Sequence, residues 1–386
     1  MSDDDPFAMP RPGDSVPFEL LDQRHAWVRA LRGVPQDPVF HAEGDVWIHT
    51  KMVAEALVAL ESWRTRPLAE RHELYVASLL HDVAKPRCTQ IERDVGGVRI
   101  RSLGHAPAGA RVSRRILWEL GIDLGKRERI AALVRFHQVP YRGIEGDGAN
   151  TRLIRLSQTC RLRDLACLSE ADVRGRICPD QDNLLENIEL FHLAAQDLGC
   201  DDQPFAFASD HSRASFFRHE HRDPTYQAHD DNRLTATVMS GLPGAGKSHW
   251  VTEHLPDTPC VRLDDIRREL AIGADQPQGR VIAEAYDRAR TLLRAGQDFV
   301  WDATNLSRDV RRRVTNLCMQ YRARIRIVYV EAPPALLHRQ NANRAHPVPP
   351  AVLERLLSRW DPPDPTECHE LHYIVEGHPV PGPMRC

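Results

Sequence analysis

The chain has 386 residues, too many for one ordinary core and suited to two, and its 42% hydrophobic content lets each half bury one. The net charge of −3 divides into 31 basic against 36 acidic residues before Leu234 and 20 against 18 from Leu234 onward, so neither half has the basic excess of a dedicated nucleic-acid-binding module. No apolar run reaches the length of a membrane span, the opening Met1-Ser2-Asp3-Asp4-Asp5-Pro6 lacks the order of a signal peptide, and the nine cysteines contain no C-x-x-C pair; a disulfide framework or zinc finger is not expected, and a reducing cytoplasm is.

Residues 1–40 read as a polar, proline-containing leader with one helix over 18–31. Apolar residues at three- and four-residue spacing then predict helices over 48–63, 71–82, 108–120, 126–137, 151–172 and 182–198. Pro, Gly or Asp clusters separate them, and only 95–100 looks strand-like, with Gly96-Gly97 marking a small hairpin or loop. Residues 201–233 lose periodicity and read as a connector. There Phe205, Phe207, Phe216, Phe217, Arg218, His219, His221, Arg222 and Tyr226 interleave aromatic with basic side chains, a composition that stacks bases and holds phosphates or docks on a domain. Docking is the favoured reading. From Leu234 strands over 235–240, 260–263, 299–303, 325–331 and 371–375 alternate with helices over 247–254, 265–271, 280–295, 308–322, 334–344 and 350–360, which predicts a parallel sheet. The expected organisation is an all-α domain over 1–200, a connector over 201–233 and an α/β domain over 234–386.

In the α/β half, Val238-Met239-Ser240 leads into Gly241-Leu242-Pro243-Gly244-Ala245-Gly246-Lys247-Ser248, a G-x-x-x-x-G-K-[ST] loop between a strand and a helix. Gly241, Gly244 and Gly246 let backbone N–H groups turn toward phosphate oxygens, and the helix N-terminus adds partial positive charge. Lys247 can bridge the β- and γ-phosphates and Ser248 can hold Mg²⁺. Only four of the 51 basic residues are lysines, so the one inside this motif points to a demand for a compact ammonium. This loop expects ATP or another nucleoside triphosphate with Mg²⁺. Asp264-Asp265-x-Arg267 follows the next strand, where a carboxylate can take a proton from an acceptor hydroxyl or serve as a helix cap. Asp302 and Asn305 end the following strand, near the phosphates and placed to bind the acceptor, or in an Asx-bonded turn. Arg339 and Arg344 precede a proline-rich stop and suit a lid that stabilises charge during phosphoryl transfer; they are otherwise solvated helix arginines.

With these elements in order, the segment resembles the polynucleotide 5′-kinase branch of P-loop phosphotransferases. The resemblance implies that Asp264 is the general base, that Arg267 contacts an acceptor phosphate, and that Arg344, with Arg339, touches the donor phosphates. Related small-molecule kinases and toxin kinases share parts of the pattern.

The helical half carries His49, His81-Asp82, His105, His137 and Asp172 near predicted helix ends. Imidazole and carboxylate together suit Mn²⁺, Fe²⁺, Ni²⁺, Co²⁺ or Zn²⁺, which lower the pKa of bound water and clamp phosphoryl oxygens. Any one of these residues alone reads as a polar helix terminus. The run Leu79-Leu80-His81-Asp82, however, puts a charge pair against a core helix, where it needs a partner or a metal.

The series E-G-D-V-W-x-H-T, H-D-V-x-K-P, G-H-x-x-x-G-A, F-H and A-D-x-x-G-R over 38–176 resembles the HD phosphohydrolase superfamily, most closely the HD domain of bacterial tRNA nucleotidyltransferases. The resemblance implies that His49, His81, Asp82 and Asp172 bind one metal, that His105 and His137 bind a second metal or the scissile phosphate, and that Lys85 and Arg176 contact phosphate. His41 either faces the cleft or is a loop histidine. The stretch before His41 leaves no room for that family's nucleotidyltransferase domain, so a different overall activity is expected.

Taken whole, the order resembles bacterial bifunctional end-healing enzymes that join an HD phosphatase to a polynucleotide kinase. That likeness implies removal of a 2′,3′-cyclic, 2′- or 3′-phosphate, with Asp82 catalytic, and phosphorylation of 5′-OH ends of RNA or DNA, with a ligase acting downstream and no membrane partner. Two other classes fit the motifs: a small-molecule or nucleotide kinase fused to an HD nucleotidase, and a nucleotide-responsive sensor with little turnover.

Overall fold

The computed structural model describes residues 5–94, 97–142, 146, 148–219, 222–273, 276–344 and 346–384. The first four residues of the acidic opening, Val95 and Gly96 of the expected strand, part of the 143–148 spacer, His221 of the connector and Ala345 of the lid segment lie outside the described residues. The chain forms two compact units, one running to Phe205 and taking in Pro383, the other spanning Ala206–Gly382.

The first unit is helical apart from one hairpin. Its elements are α1 (Phe18–Arg24), α2 (Ala26–Leu31), α3 (Val46–Ala59), α4 (Glu61–Arg64), α5 (Leu68–Leu80), α6 (Lys85–Cys88), strands β1 (Gln90–Asp94) and β2 (Gly97–Arg101), then α7 (His105–Glu119), α8 (Leu124–Phe136), α9 (Ala149–Ser157), α10 (Leu162–Arg174) and α11 (Gln181–Asp197). Val53 and Leu57 of α3, Leu74 and Leu80 of α5, Ile130 and Val134 of α8, and Leu165 and Leu168 of α10 bury the apolar stripes that the spacing marked.

Three expected helices are broken in two. The 18–31 segment breaks at His25, the 48–63 segment at Leu60 and the 151–172 segment before Leu162, where His25, Leu60 and Arg161 each adopt extended backbone. Apolar spacing reports which face is buried and continues across the one-residue breaks at His25 and Leu60 and the four residues 158–161, so periodicity alone merges such pairs. The expected single strand is the second half of an antiparallel hairpin in which Asp94 pairs with Gly97.

The second unit opens with α12 (Asp210–Phe216), capped by Ser209, inside the stretch that lacked periodicity. Phe207, Phe216 and Phe217 pack on one another with ring centroids 5.1–5.6 Å apart. There follow β3 (Leu234–Ser240), α13 (Lys247–His254), β4 (Cys260–Arg262), α14 (Leu263–Glu269), α15 (Gly279–Arg294), β5 (Phe299–Asp302), α16 (Arg308–Gln320), β6 (Ala323–Glu331), α17 (Pro334–Ala342), α18 (Pro350–Leu357), β7 (Glu370–Val375) and β8 (His378–Val380). The six-stranded sheet has the order β4-β5-β3-β6-β7-β8, parallel except for the terminal β8, which pairs antiparallel with β7. The 241–248 loop leaves the C-terminal end of β3, an interior strand, and the ends of β4 and β5 lie along the same edge, where open α/β sheets bind their ligands.

Candidate active sites

In the helical unit, His49 projects from α3, His81 and Asp82 follow the C-terminal end of α5, His105 begins α7, His137 follows α8 and Asp172 sits in the last turn of α10. All six side chains are buried. The structure brings them into one cluster. His49 Nε2 lies 3.1 Å from Asp172 Oδ1 and 3.3 Å from His81 Nε2. His81 Nε2 lies 3.2 Å from Asp82 Oδ2, and His105 Nε2 lies 3.4 Å from Asp82 Oδ1. Asp82 therefore belongs to two triads, His49–His81–Asp82 and Asp82–His105–His137, in each of which the ligand-type atoms fall within 4.8 Å of one another.

The histidines share one orienting device. His81, His105 and His137 donate Nδ1–H to the carbonyls of Ser78, Ser102 and Val134 at 2.7, 2.6 and 2.8 Å, each three residues upstream. A carbonyl only accepts, so this contact fixes the tautomer and leaves the Nε2 lone pair for an electrophile. His49 has its Nδ1 on the Glu43 carboxylate at 2.9 Å and on the Gly175 carbonyl at 3.2 Å.

Burial holds His137 down to about 3 and lowers His105 as well, so both rings are neutral. Burial also opposes ionisation of Asp82 and Asp172, but Lys85 and His81 beside the first, and Arg176 and His49 beside the second, hold both carboxyls well below their usual range. Lys85 Nζ is 2.7 Å from Asp82 Oδ2 and donates to Gln36 Oε1 at 2.6 Å; Arg176 donates to Asp172 Oδ1 at 2.7 Å.

The donor set fits divalent transition ions. Asp82 Oδ1 and Asp172 Oδ2 are buried and accept no hydrogen bond, and Asp82 Oδ2 faces the Lys85 ammonium and His81, the condition of acceptors held for a cation. Glu43, which sequence reasoning did not single out, is buried with Oε1 on both His41 Nδ1 (2.8 Å) and His49 Nδ1 (2.9 Å), while Oε2 accepts from Ile177 N at 2.9 Å. Glu43 opens the E-G-D-V-W-x-H-T segment, but Gly44, at φ +127°, turns the chain between them, and no spacing rule announces that turn.

In the α/β unit the 241–248 loop bends through positive φ at Gly241 (144°), Gly244 (82°) and Gly246 (100°). A Cβ at Gly241 would stand 2.1 Å from the Val330 carbonyl oxygen, so only glycine lets the loop approach β6. Lys247 donates to the carbonyls of Gly241 and Leu242 at 2.9 Å each, and burial lowers its ammonium to about 8. Ser248 Oγ donates to Asp302 Oδ2 at 3.0 Å. Asp302 thus stands against the Mg²⁺-type hydroxyl, with Arg262 Nε on the same oxygen at 2.9 Å; Arg262 is a second residue the sequence did not reveal.

Asn305 is buried at φ +44° and donates from Nδ2 to the Met239 carbonyl at 2.7 Å, tying the loop after β5 to β3. Its amide is spent on the scaffold. Asp264, at the start of α14, is exposed and pairs with Arg267, and Arg344 reaches the same carboxylate at 3.6 Å. Arg339 lies exposed on α17.

Residues 46–176 match the HD domain family, and residues 237–363 match a family described as an AAA domain. In sequence the chain is 30% identical over 157 residues to the multifunctional CCA protein of Acidovorax sp. (strain JS42), covering 39% of this chain and 33% of that protein. It is 38% identical over 107 residues to the CC-adding tRNA nucleotidyltransferase of Thermus thermophilus, covering 28% of this chain and 22% of that enzyme. The matches thus span a third or less of these relatives' length. A sugar kinase structure from Janibacter sp. HTCC2649 superposes with a TM-score of 0.30 at 15% identity, covering 37% of this chain and 85% of that one. The chain joins an HD domain to an AAA-type domain that carries the P-loop.

Proposed function

We propose that the chain heals nucleic-acid ends: the HD unit removes a 2′,3′-cyclic, 2′- or 3′-phosphate, and the P-loop unit phosphorylates a 5′-OH end from ATP or another nucleoside triphosphate. The observation that carries this reading is one chain holding two different sites of the kinds that handle phosphate, a double triad sharing Asp82 and a P-loop whose Lys247 feels the charge of the Asp264 carboxylate. The name of one HD relative, a CC-adding tRNA nucleotidyltransferase, supports an RNA substrate.

In the HD unit His49, His81, Asp82 and Asp172 would hold one divalent ion, and Asp82, His105 and His137 a second. Such ions lower the pKa of a bound water and neutralise a phosphoryl oxygen. Lys85 and Arg176 supply fixed positive charge to the phosphate.

In the kinase unit the backbone of Gly241, Gly244 and Gly246 cradles the donor phosphates, Lys247 bridges the β- and γ-phosphates, and Ser248 with Asp302 holds Mg²⁺. Asp264 takes the 5′-hydroxyl proton as the new O–P bond forms and the bond to the β-phosphate oxygen breaks, releasing the nucleoside diphosphate. Arg267 holds an acceptor phosphate; Arg344, with Arg339, neutralises charge on the donor. The products are ends that a ligase joins, a reaction of the cytoplasm. Among the described residues no helix is long and apolar enough to cross a membrane.

The test is an end-labelled oligonucleotide assay with 2′-, 3′- and cyclic-phosphate substrates across Mn²⁺, Co²⁺, Ni²⁺, Fe²⁺ and Zn²⁺. Lys247→Ala should abolish 5′ phosphorylation and spare phosphate release, and Asp82→Ala the reverse. If neither end changes with any metal, the reading fails.

A further inference from the structure

His105 of the HD cluster, with the buried Lys85 and Arg176 that pair with Asp82 and Asp172, forms the floor of a cleft of about 790 Å³, a volume that encloses a ligand of many heavy atoms rather than one phosphate group. Its lining carries more cations than carboxylates in a chain of negative net charge: Lys85, Arg101, Arg135, Arg142 and Arg176 against Asp37 and Asp180, with Lys85 and Arg176 also paired to Asp82 and Asp172 behind the lining and Arg101 3.6 Å from Glu92. The same lining presents bare apolar surface, with Phe40 52% and Leu103 73% exposed. Large exposed apolar side chains at a cleft mouth mark a contact surface. Deeper in, the Arg176 guanidinium lies 4.9 Å over the Tyr141 ring and is buried with its Nε unpartnered, a donor still without an acceptor.

A lone phosphoester needs the floor and leaves the apolar mouth and outer cations idle. We infer that this cleft is shaped for the terminal nucleotides of a strand. The terminal phosphate meets Lys85 and Arg176, the terminal base lies against Phe40 and Leu103, and the next backbone phosphate meets Arg101 and Arg142. β2 ends at Arg101, and the Ser102–Gly104 turn, with Gly104 at φ +74°, carries Leu103 to the mouth and delivers His105 to the floor. One short segment thus couples the base contact to the metal-type cluster. This inference rests on the phosphatase reading above and deepens it by assigning the residues that select a polynucleotide end.

The test compares three substrates with Mn²⁺: an oligonucleotide carrying both 3′- and 5′-phosphate, so that the kinase has no acceptor; a nucleoside 3′-monophosphate; and para-nitrophenyl phosphate. The wild-type chain should prefer them in that order. In the Phe40→Ala/Leu103→Ala variant the ratio of oligonucleotide to nitrophenyl kcat/KM should fall roughly tenfold, the size of one base-stacking contact, and chiefly through KM. Arg101→Ala/Arg142→Ala should lower the ratio of oligonucleotide to mononucleotide. If the oligonucleotide is hydrolysed and neither ratio moves by twofold, the inference is overturned and the phosphatase reading stands. If nothing is hydrolysed, the phosphatase reading fails. Anisotropy of a labelled 3′-phosphorylated oligonucleotide in EDTA then decides the inference: about tenfold weaker binding by the first variant supports it, and unchanged binding overturns it.

Discussion

Lys247 gives the P-loop reading a quantitative consequence. Burial lowers its ammonium to about 8 in the ligand-free chain. A triphosphate brings negative charge against the same nitrogen, so the complex keeps the proton to much higher pH. Below pH 8 the free lysine is already charged and affinity is flat. Above it, the free protein must take up a proton to bind, and affinity falls with each pH unit. Between pH 7 and 9 the Kd of a non-hydrolysable ATP analogue should rise about tenfold, about 1.4 kcal/mol. Calorimetry in buffers of different ionisation enthalpy should count about half a proton taken up at pH 8 and nearly a whole one at pH 9. Lys247→Arg, always charged, should give a flat profile whatever its absolute affinity. Folding carries the opposite signature: the folded value lies below lysine's ordinary 10.5, so Lys247's contribution to stability is complete above that pH and is lost as pH falls through about 8. The shift is on the order of 3 kcal/mol and should vanish from the wild-type profile in Lys247→Met. A Kd constant from pH 7 to 9, with no proton uptake, would refute the buried-lysine argument.

Gly241→Ala places a methyl 2.1 Å from the Val330 carbonyl oxygen at φ +144°; kinase activity should be lost and stability should drop by about 2–4 kcal/mol in thermal denaturation, with phosphate release by the HD unit retained. Gly175→Ala puts a methyl 2.6 Å from Val53 N, forcing α3 away from the end of α10 and His49 away from Asp172; Mn²⁺ affinity measured by calorimetry should fall, with about 1–3 kcal/mol lost in stability. Glu43→Gln removes the charge that orients His49 and should weaken metal binding about 10–100-fold with the helical circular-dichroism signal unchanged; metal affinity equal to wild type would remove Glu43 from the site. Asn305→Ala should cost about 1–3 kcal/mol of stability while the oligonucleotide KM stays put; a raised KM at unchanged stability would return Asn305 to the acceptor site.

What the sequence makes legible follows from what each motif encodes. The 241–248 loop is legible because glycine spacing is itself the backbone geometry: three positive φ values sit on its three glycines. The HD series is legible as a set because apolar helices run straight into His81-Asp82. Long-range partners are hidden. Glu43 meets His49 through a loop whose path Gly44 sets, and Arg262 meets Asp302 only because β4 lies beside β5 in the sheet order. Asn305 shows what a motif leaves open. A polar residue just beyond a strand end at the ligand edge reads as a ligand contact or as a turn, and only the structure shows that its left-handed backbone directs Nδ2 onto the Met239 carbonyl of β3. The helix breaks at His25 and Leu60 leave no mark in periodicity because the buried face continues across them.

Charge decides how the HD cluster meets its substrate. Without ions the site sets charge against charge: Glu43, Asp82 and Asp172 are anionic beside the cationic Lys85 and Arg176, and Asp172 and Glu43 raise His49 against its burial. Such balance lets three buried carboxylates exist at all, since an unpaired buried charge costs several kcal/mol. If the cluster holds divalent ions as proposed above, Asp82 would give its oxygens to them, and Lys85, 2.7 Å from Asp82 Oδ2, would keep the neutral Gln36 carbonyl as its other partner. Those ions would add positive charge to a site that sets charge against charge without them, and a phosphate dianion would restore neutrality there. Metal and phosphate would then be coupled through Asp82 and Lys85, each binding better in the presence of the other, and by linkage the coupling would be the same from either side. On that reading the buried Asp82–Lys85 ion pair is the resting form of the site, and its exchange for metal and phosphate is the use of a lysine one turn after the His81-Asp82 pair.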